Sequence, residues 1–143
     1  MKLTPISVAW VFAASFYVAA AIGFLPNPLV GDHGLFVTNT AHNVVHLLTG
    51  VGFTIVALAG PKASIVFMQA FGVIYALTGI IGFLATGHGG DAHLLGLVHV
   101  NTLDNFLHIG LGVVIGAAGW YFHARSASWS LGNAWQASER KSV

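Results

Sequence analysis

Residues 39–46 read Asn39-Thr40-Ala41-His42-Asn43-Val44-Val45-His46, and residues 101–108 read Asn101-Thr102-Leu103-Asp104-Asn105-Phe106-Leu107-His108. From 39 to 101 the offset is 62, and Asn, Thr, Asn and His recur in register. The match extends back through Gly34-Leu35 against Gly96-Leu97 and forward to Gly50 against Gly112. Apolar helices resemble one another by chance, but chance explains repeated polar letters poorly. A second offset, of 59, relates Ile22-Gly23-Phe24-Leu25 to Ile81-Gly82-Phe83-Leu84. Each unit is therefore expected to be a helical hairpin, repeat one over about 4–60 and repeat two over about 61–125. Two spans per unit insert both copies the same way, which predicts a pseudo-two-fold axis along a membrane normal.

The rest of the chain supplies the spans. Of 143 residues, 56% are hydrophobic and only 6% charged, and the mean hydropathy is +0.80. Soluble domains carry about 25% charged residues, so the expected solvent is lipid. Stretches at 5–25, 40–59, 63–86 and 102–123 are long enough to cross a bilayer core, which takes about 20 residues. Asp104 is the only acidic or basic residue within them. Pro26 and Pro28, Gly60-Pro61, and Gly87 to Gly90 separate them. The first span carries Lys2 and small residues like a signal peptide, but its apolar run is long for one and is read as a retained helix. The fold class is thus all-α: a bundle of four transmembrane helices made of two parallel-repeat hairpins over residues 1–125.

Orientation follows from the basic residues. Lys2, Lys62, Arg125, Arg140 and Lys141 fall in the N-terminus, the 2–3 loop and the tail; the 1–2 and 3–4 loops have none. The positive-inside rule then puts both termini in the cytoplasm of a multi-pass protein of a bacterial inner membrane. Residues 126–143 form a polar cytoplasmic tail whose Trp129 and Trp135 suit the interface. A net charge of +1 gives no reason for a nucleic-acid partner, and a chain without cysteine has neither disulfides nor thiolate chemistry.

The polar residues concentrate at the outer ends of helices two and four. Asn39 and Asn101 are expected N-caps. Asp104, three residues on, suits the positive helix end and a variant capping box. His46 and His108, seven residues past the caps, lie about 10 Å into the membrane at a rise of about 1.5 Å per residue. Ionisable groups there are costly and belong in the bundle interior. Three readings are open. In the first, Asn43, His46, Asn105 and His108 only exchange hydrogen bonds, worth about 0.6 kcal/mol each in membranes. In the second, His42, His46, Asp104 and His108 ligate zinc or copper, with Asn43 and Asn105 orienting the rings. In the third, His46 and His108, with Asn43 and Asn105 beside them, hold a b-type haem or a chlorophyll-type pigment. Small-residue pairs such as Gly112/Gly116 and Ala19/Gly23 imply close helix packing, which leaves a macrocycle little room.

Seven of the eight histidines fall on the outer side, where His33, His88, His93 and His99, with Asp32 and Asp91, are ordinary loop residues or could capture a cation or sense pH. No nucleophile with a base stands out, and no Gly-rich phosphate loop is present, so the reading leans away from an enzyme.

The doubled pattern at 39–46 and 101–108 resembles a bacterial family of small four-helix membrane proteins classed as a domain of unknown function. The resemblance covers about residues 5–124. It implies the four-helix architecture and marks Asn39, His42, Asn43, His46, Asn101, Asp104, Asn105 and His108 as signature positions. It implies no activity, and the histidine-rich 3–4 loop and the tail lie outside the pattern. With scarcely any soluble portion, the chain is expected to be a non-catalytic accessory or structural subunit of a respiratory or photosynthetic complex. Its apolar outer faces would meet lipid, other membrane subunits or further copies of itself. The alternative is a metal-, haem- or pigment-binding redox or sensing protein with ligands from helices two and four.

Overall fold

The computed structural model describes residues 3–87 and 89–139, with side chains as far as Ser128. Lys2, His88, Arg140 and Lys141 lie outside the described residues, as do the side chains of Trp129 and Trp135.

Four helices dominate: α1 Pro5–Phe24, α2 Thr40–Ala59, α3 Pro61–Thr86 and α4 Thr102–Glu139. All four are long and apolar enough to cross a membrane, α4 through its stretch Thr102–Ser128. Thr4 and Ser7 form a capping box at the start of α1, ahead of Pro5 at the first helical position. The helix ends before Pro26, where the proline disfavours helical backbone at the residue before it. Asn27 then ties the exit down: its amide donates to the Ile22, Leu25 and Val30 carbonyls, and its Oδ1 accepts from Leu29 and Val30 N–H.

Two boundaries differ from the sequence reading. α3 begins at Pro61 rather than 63, because a first-turn proline lacks only a donor the helix would leave unused. Gly60 is consequently the whole α2–α3 connection; its φ of 109° favours glycine, and Ser64 Oγ secures the turn by donating to the Val56 and Gly60 carbonyls. α4 runs on as helix to Glu139, since no proline interrupts it.

The sequence reading placed no strands, yet both loops at the far end contain them. β1 Val30–Gly31 pairs in parallel with β2 Phe36–Val37, and β3 Asp91–Leu94 pairs antiparallel with β4 Val98–Asn101. Leu95 and Gly96, both at positive φ, turn this hairpin.

Neighbouring helices run antiparallel. α1 packs mainly on α2 and α3 on α4, whereas α2 meets α3 over a shorter stretch. The α3–α4 contact is close because glycine faces glycine: a Cβ on Gly72 would overlap the Gly116 backbone and the Gly112 carbonyl. On the α1–α2 side Tyr17 reaches Thr54 Oγ1 at 2.9 Å. Aromatic rings fill the centre. Phe53 sits within 5.7 Å of Phe12, Phe16, Phe67 and Phe71, and the series continues through Tyr75 towards the end that carries the strands. Large apolar side chains such as Leu58, Ile74 and Leu84 point outward, as a lipid-facing surface requires.

Gly72→Leu should separate α3 from α4 and lower stability by roughly 1–3 kcal/mol, the usual cost of overpacking. Gly110→Leu, where nothing lies within 4 Å, should be tolerated. Thermal unfolding of both variants in detergent checks this; equal damage would show that the Gly72 contact does not govern packing.

Candidate functional site

The site begins with two helix starts. Asn39 Oδ1 accepts from His42 N–H at 3.0 Å, and Asn101 Oδ1 accepts from Asp104 N–H at 3.0 Å. Both amides also reach across to the opposite loop. Asn39 Nδ2 donates to the Leu97 carbonyl at 2.7 Å, and Asn101 Nδ2 donates to the Leu35 carbonyl at 2.9 Å. Asp104 Oδ2 closes a capping box by accepting from Asn101 N–H at 2.9 Å and accepts from Val37 N–H at 3.1 Å. The loops are thus stitched to each other by the residues that start the helices.

One turn further in, the asparagines turn their amide N–H groups to the neighbouring helices. Asn43 Nδ2 donates to the Gly23 carbonyl at 2.7 Å, and Asn105 Nδ2 donates to Thr86 Oγ1 at 3.1 Å. A side chain on Gly23 or Gly82 would strike these amides. The sequence reading had Asn43 and Asn105 orienting the imidazoles or flanking a cofactor. In the structure they face α1 and α3, because their amides lock each helix pair.

The rings are held by backbone instead. His42 Nδ1 bonds the His99 carbonyl at 2.7 Å, and His108 Nδ1 bonds the Asp104 carbonyl at 2.5 Å. A carbonyl oxygen can only accept, so each Nδ1 carries the proton and, in the neutral ring, Nε2 keeps its lone pair. Nδ1–H to a carbonyl is the outer support that metal-ligating histidines commonly have. His42 is 1% exposed and His108 5%. His46 stands four residues from His42, with ring centroids 4.6 Å apart, and His42 lies 5.6 Å from His108. One nitrogen from each of His42, His46 and His108 falls within 4.8 Å of the others. His42 Nε2 and both nitrogens of His46 are buried without a hydrogen-bond partner.

Asp104, the fourth ligand of the sequence reading, stands apart from this group. Its carboxylate is engaged by the two backbone N–H groups, so the converging set is three imidazoles. Tyr75, which the sequence reading passed over, forms the floor beside them, its ring 4.5 Å from that of His108. The signal for it was an aromatic at every fourth position of α3: Phe67, Phe71 and Tyr75.

The chain belongs to the family described as a domain of unknown function, DUF4383. That family's model matches residues 7–121. No curated protein and no solved structure matches the chain. In this DUF4383 protein the matched stretch takes in the three histidines and both caps. It also takes in the outer pair His93 and His99, stacked at 4.2 Å. His99 Nε2 lies 3.3 Å from the exposed Asp91 carboxylate and Nδ1 3.9 Å from that of Asp32. These outer side chains are separate from the buried cluster; His99 serves it through its carbonyl.

Asp104→Ala would strip the Val37 and Asn101 N–H groups of their acceptor. Each unpaired buried donor costs about 1–3 kcal/mol, so a clear drop in unfolding temperature is expected, with partial recovery in Asp104→Asn. Unchanged stability in Asp104→Ala would show that the carboxylate does not hold the two loops.

Proposed function

We propose that this protein binds a transition-metal ion, zinc or copper, through His42, His46 and His108. The observation that carries the reading is the convergence of three imidazoles, among which His42 Nε2 and both His46 nitrogens are buried with no hydrogen-bond partner. A buried polar atom without a partner costs about 1–3 kcal/mol, and a metal ion would meet His42 and His46 at once, with His108 completing the set. Neutral imidazoles without thiolates suit zinc and copper. The Asp104 carboxylate, one turn from His108, would offset part of the ion's charge. Three protein ligands leave a fourth position for an exchangeable group, the pattern of sites that do more than brace a fold.

The arrangement favours an ion over a macrocycle. A haem held by His46 and His108 needs clear space around the line joining them, and the ring of His42 stands in that space. The reading as an accessory subunit of a respiratory or photosynthetic complex draws on the scarcity of soluble residues. Its outward apolar side chains serve lipid equally well.

Two further parts of the reading have support. The Asn39–Leu97 and Asn101–Leu35 bonds exchange partners at the same 62-residue offset as the sequence repeat. So do the His42–His99 and Asp104–Val37 contacts, which favours a duplicated hairpin with an axis along the membrane normal. The placing of Lys and Arg favours cytoplasmic termini, with the cluster beneath the outer face of a bacterial inner membrane.

Protein purified without a polyhistidine tag and loaded with zinc or copper should retain about one ion per chain by elemental analysis. His46→Ala and His108→Ala should each lower that retention at least tenfold while the helical circular dichroism persists. Wild-type protein that holds no ion after loading would remove the proposal. For orientation, the absence of cysteine gives a clean background: His33→Cys should react with an impermeant maleimide on intact cells, and Lys62→Cys only after lysis. The reverse pattern would invert the topology.

A further inference from the structure

Beside the three imidazoles lies a cavity of about 310 Å³, within the range of about 300–1,000 Å³ usual for small-molecule sites. His42, His46, His108 and Tyr75 form one end of it. The walls are otherwise almost wholly apolar: α2 and α3 flank it, and the β3–β4 hairpin covers it with Leu94 and Val98. Val45, Ile74 and Ile81 line the cavity and are themselves 44%, 59% and 56% exposed. These exposed apolar residues mark the mouth, which opens sideways between α2 and α3, towards lipid. Across this seam α2 and α3 touch far less than the helices within each pair do. At the closed end His42, only 1% exposed, has an Nε2 with no partner.

We infer that this cavity takes a lipid-soluble ring compound that presents a ketone or hydroxyl oxygen to the histidine end, the chemistry shared by membrane quinones and quinols. The inference rests on the metal reading, because the oxygen would occupy the fourth position that the three histidines leave open. An apolar body would leave the bilayer for largely apolar walls, while one of its oxygens meets the histidine end. A charged headgroup has no counterpart in the cavity. A molecule without an oxygen would leave the polar end unused.

Cobalt-loaded protein in nanodiscs tests this, since the visible bands of cobalt report its ligands. Cobalt content measures the metal reading; the response of the bands to added ring compound measures this one. A short-chain benzoquinone or its quinol should shift the bands saturably, while a plain alkane of equal length should not. Comparing the two redox forms tells ketone from hydroxyl binding. Ile74→Trp and, independently, Val98→Trp should fill the cavity, keep one cobalt per chain and weaken the response at least tenfold. Cobalt bound with bands that neither redox form moves overturns the inference and leaves the metal site standing. The same holds if the bands shift equally in every tryptophan variant that keeps its cobalt. Failure of the wild-type chain to hold cobalt removes both readings.

Discussion

The structure depends on a rule of the hydrocarbon solvent: a polar group with no water to turn to must be met by the protein. At one end of the bundle this rule is satisfied across the two halves rather than within them. Asn39 and Asn101 start their helices and at the same time grip the opposite loop, and Asp104 serves N–H groups on both sides. Because each cap is also a tether, the N-termini of α2 and α4 are held at a fixed separation. That separation brings His42 and His46 within reach of His108.

The same economy explains which polar groups bind and which brace. Asn43 and Asn105 sit one helical turn from the caps and face away from the centre, where they clasp α1 and α3. Their glycine counterparts, Gly23 and Gly82, make room for the amides. With these amide N–H groups committed, and with Asp104 committed to backbone, His42, His46 and His108 are left to converge on one point.

The spans, the breakers and the caps were legible in the sequence because each depends on short-range chemistry: apolar length, Pro and Gly, and an asparagine three residues before the N–H it serves. The bundle interior was also legible in outline, since His46 and His108 had nowhere else to go. What the sequence left out depends on the relation between distant segments. Nothing local says that Val37 N–H meets Asp104, or that the carbonyl of His99 holds His42, because backbone groups carry no residue signature. The asparagines misled for a related reason: an amide at the right depth can turn to either side, and only the helix packing decides. The β4 strand was readable in principle. Val98-His99-Val100-Asn101 alternates apolar and polar with a period of two, a signal overshadowed by the apolar runs around it.

Gly60 has a consequence for how the molecule can move. At one end the halves are joined by that single residue, and at the other by the asparagine stitching. A slit fastened at both ends cannot swing open like a door. Any widening between α2 and α3 is limited by a covalent joint at one end and by side-chain amide bonds at the other.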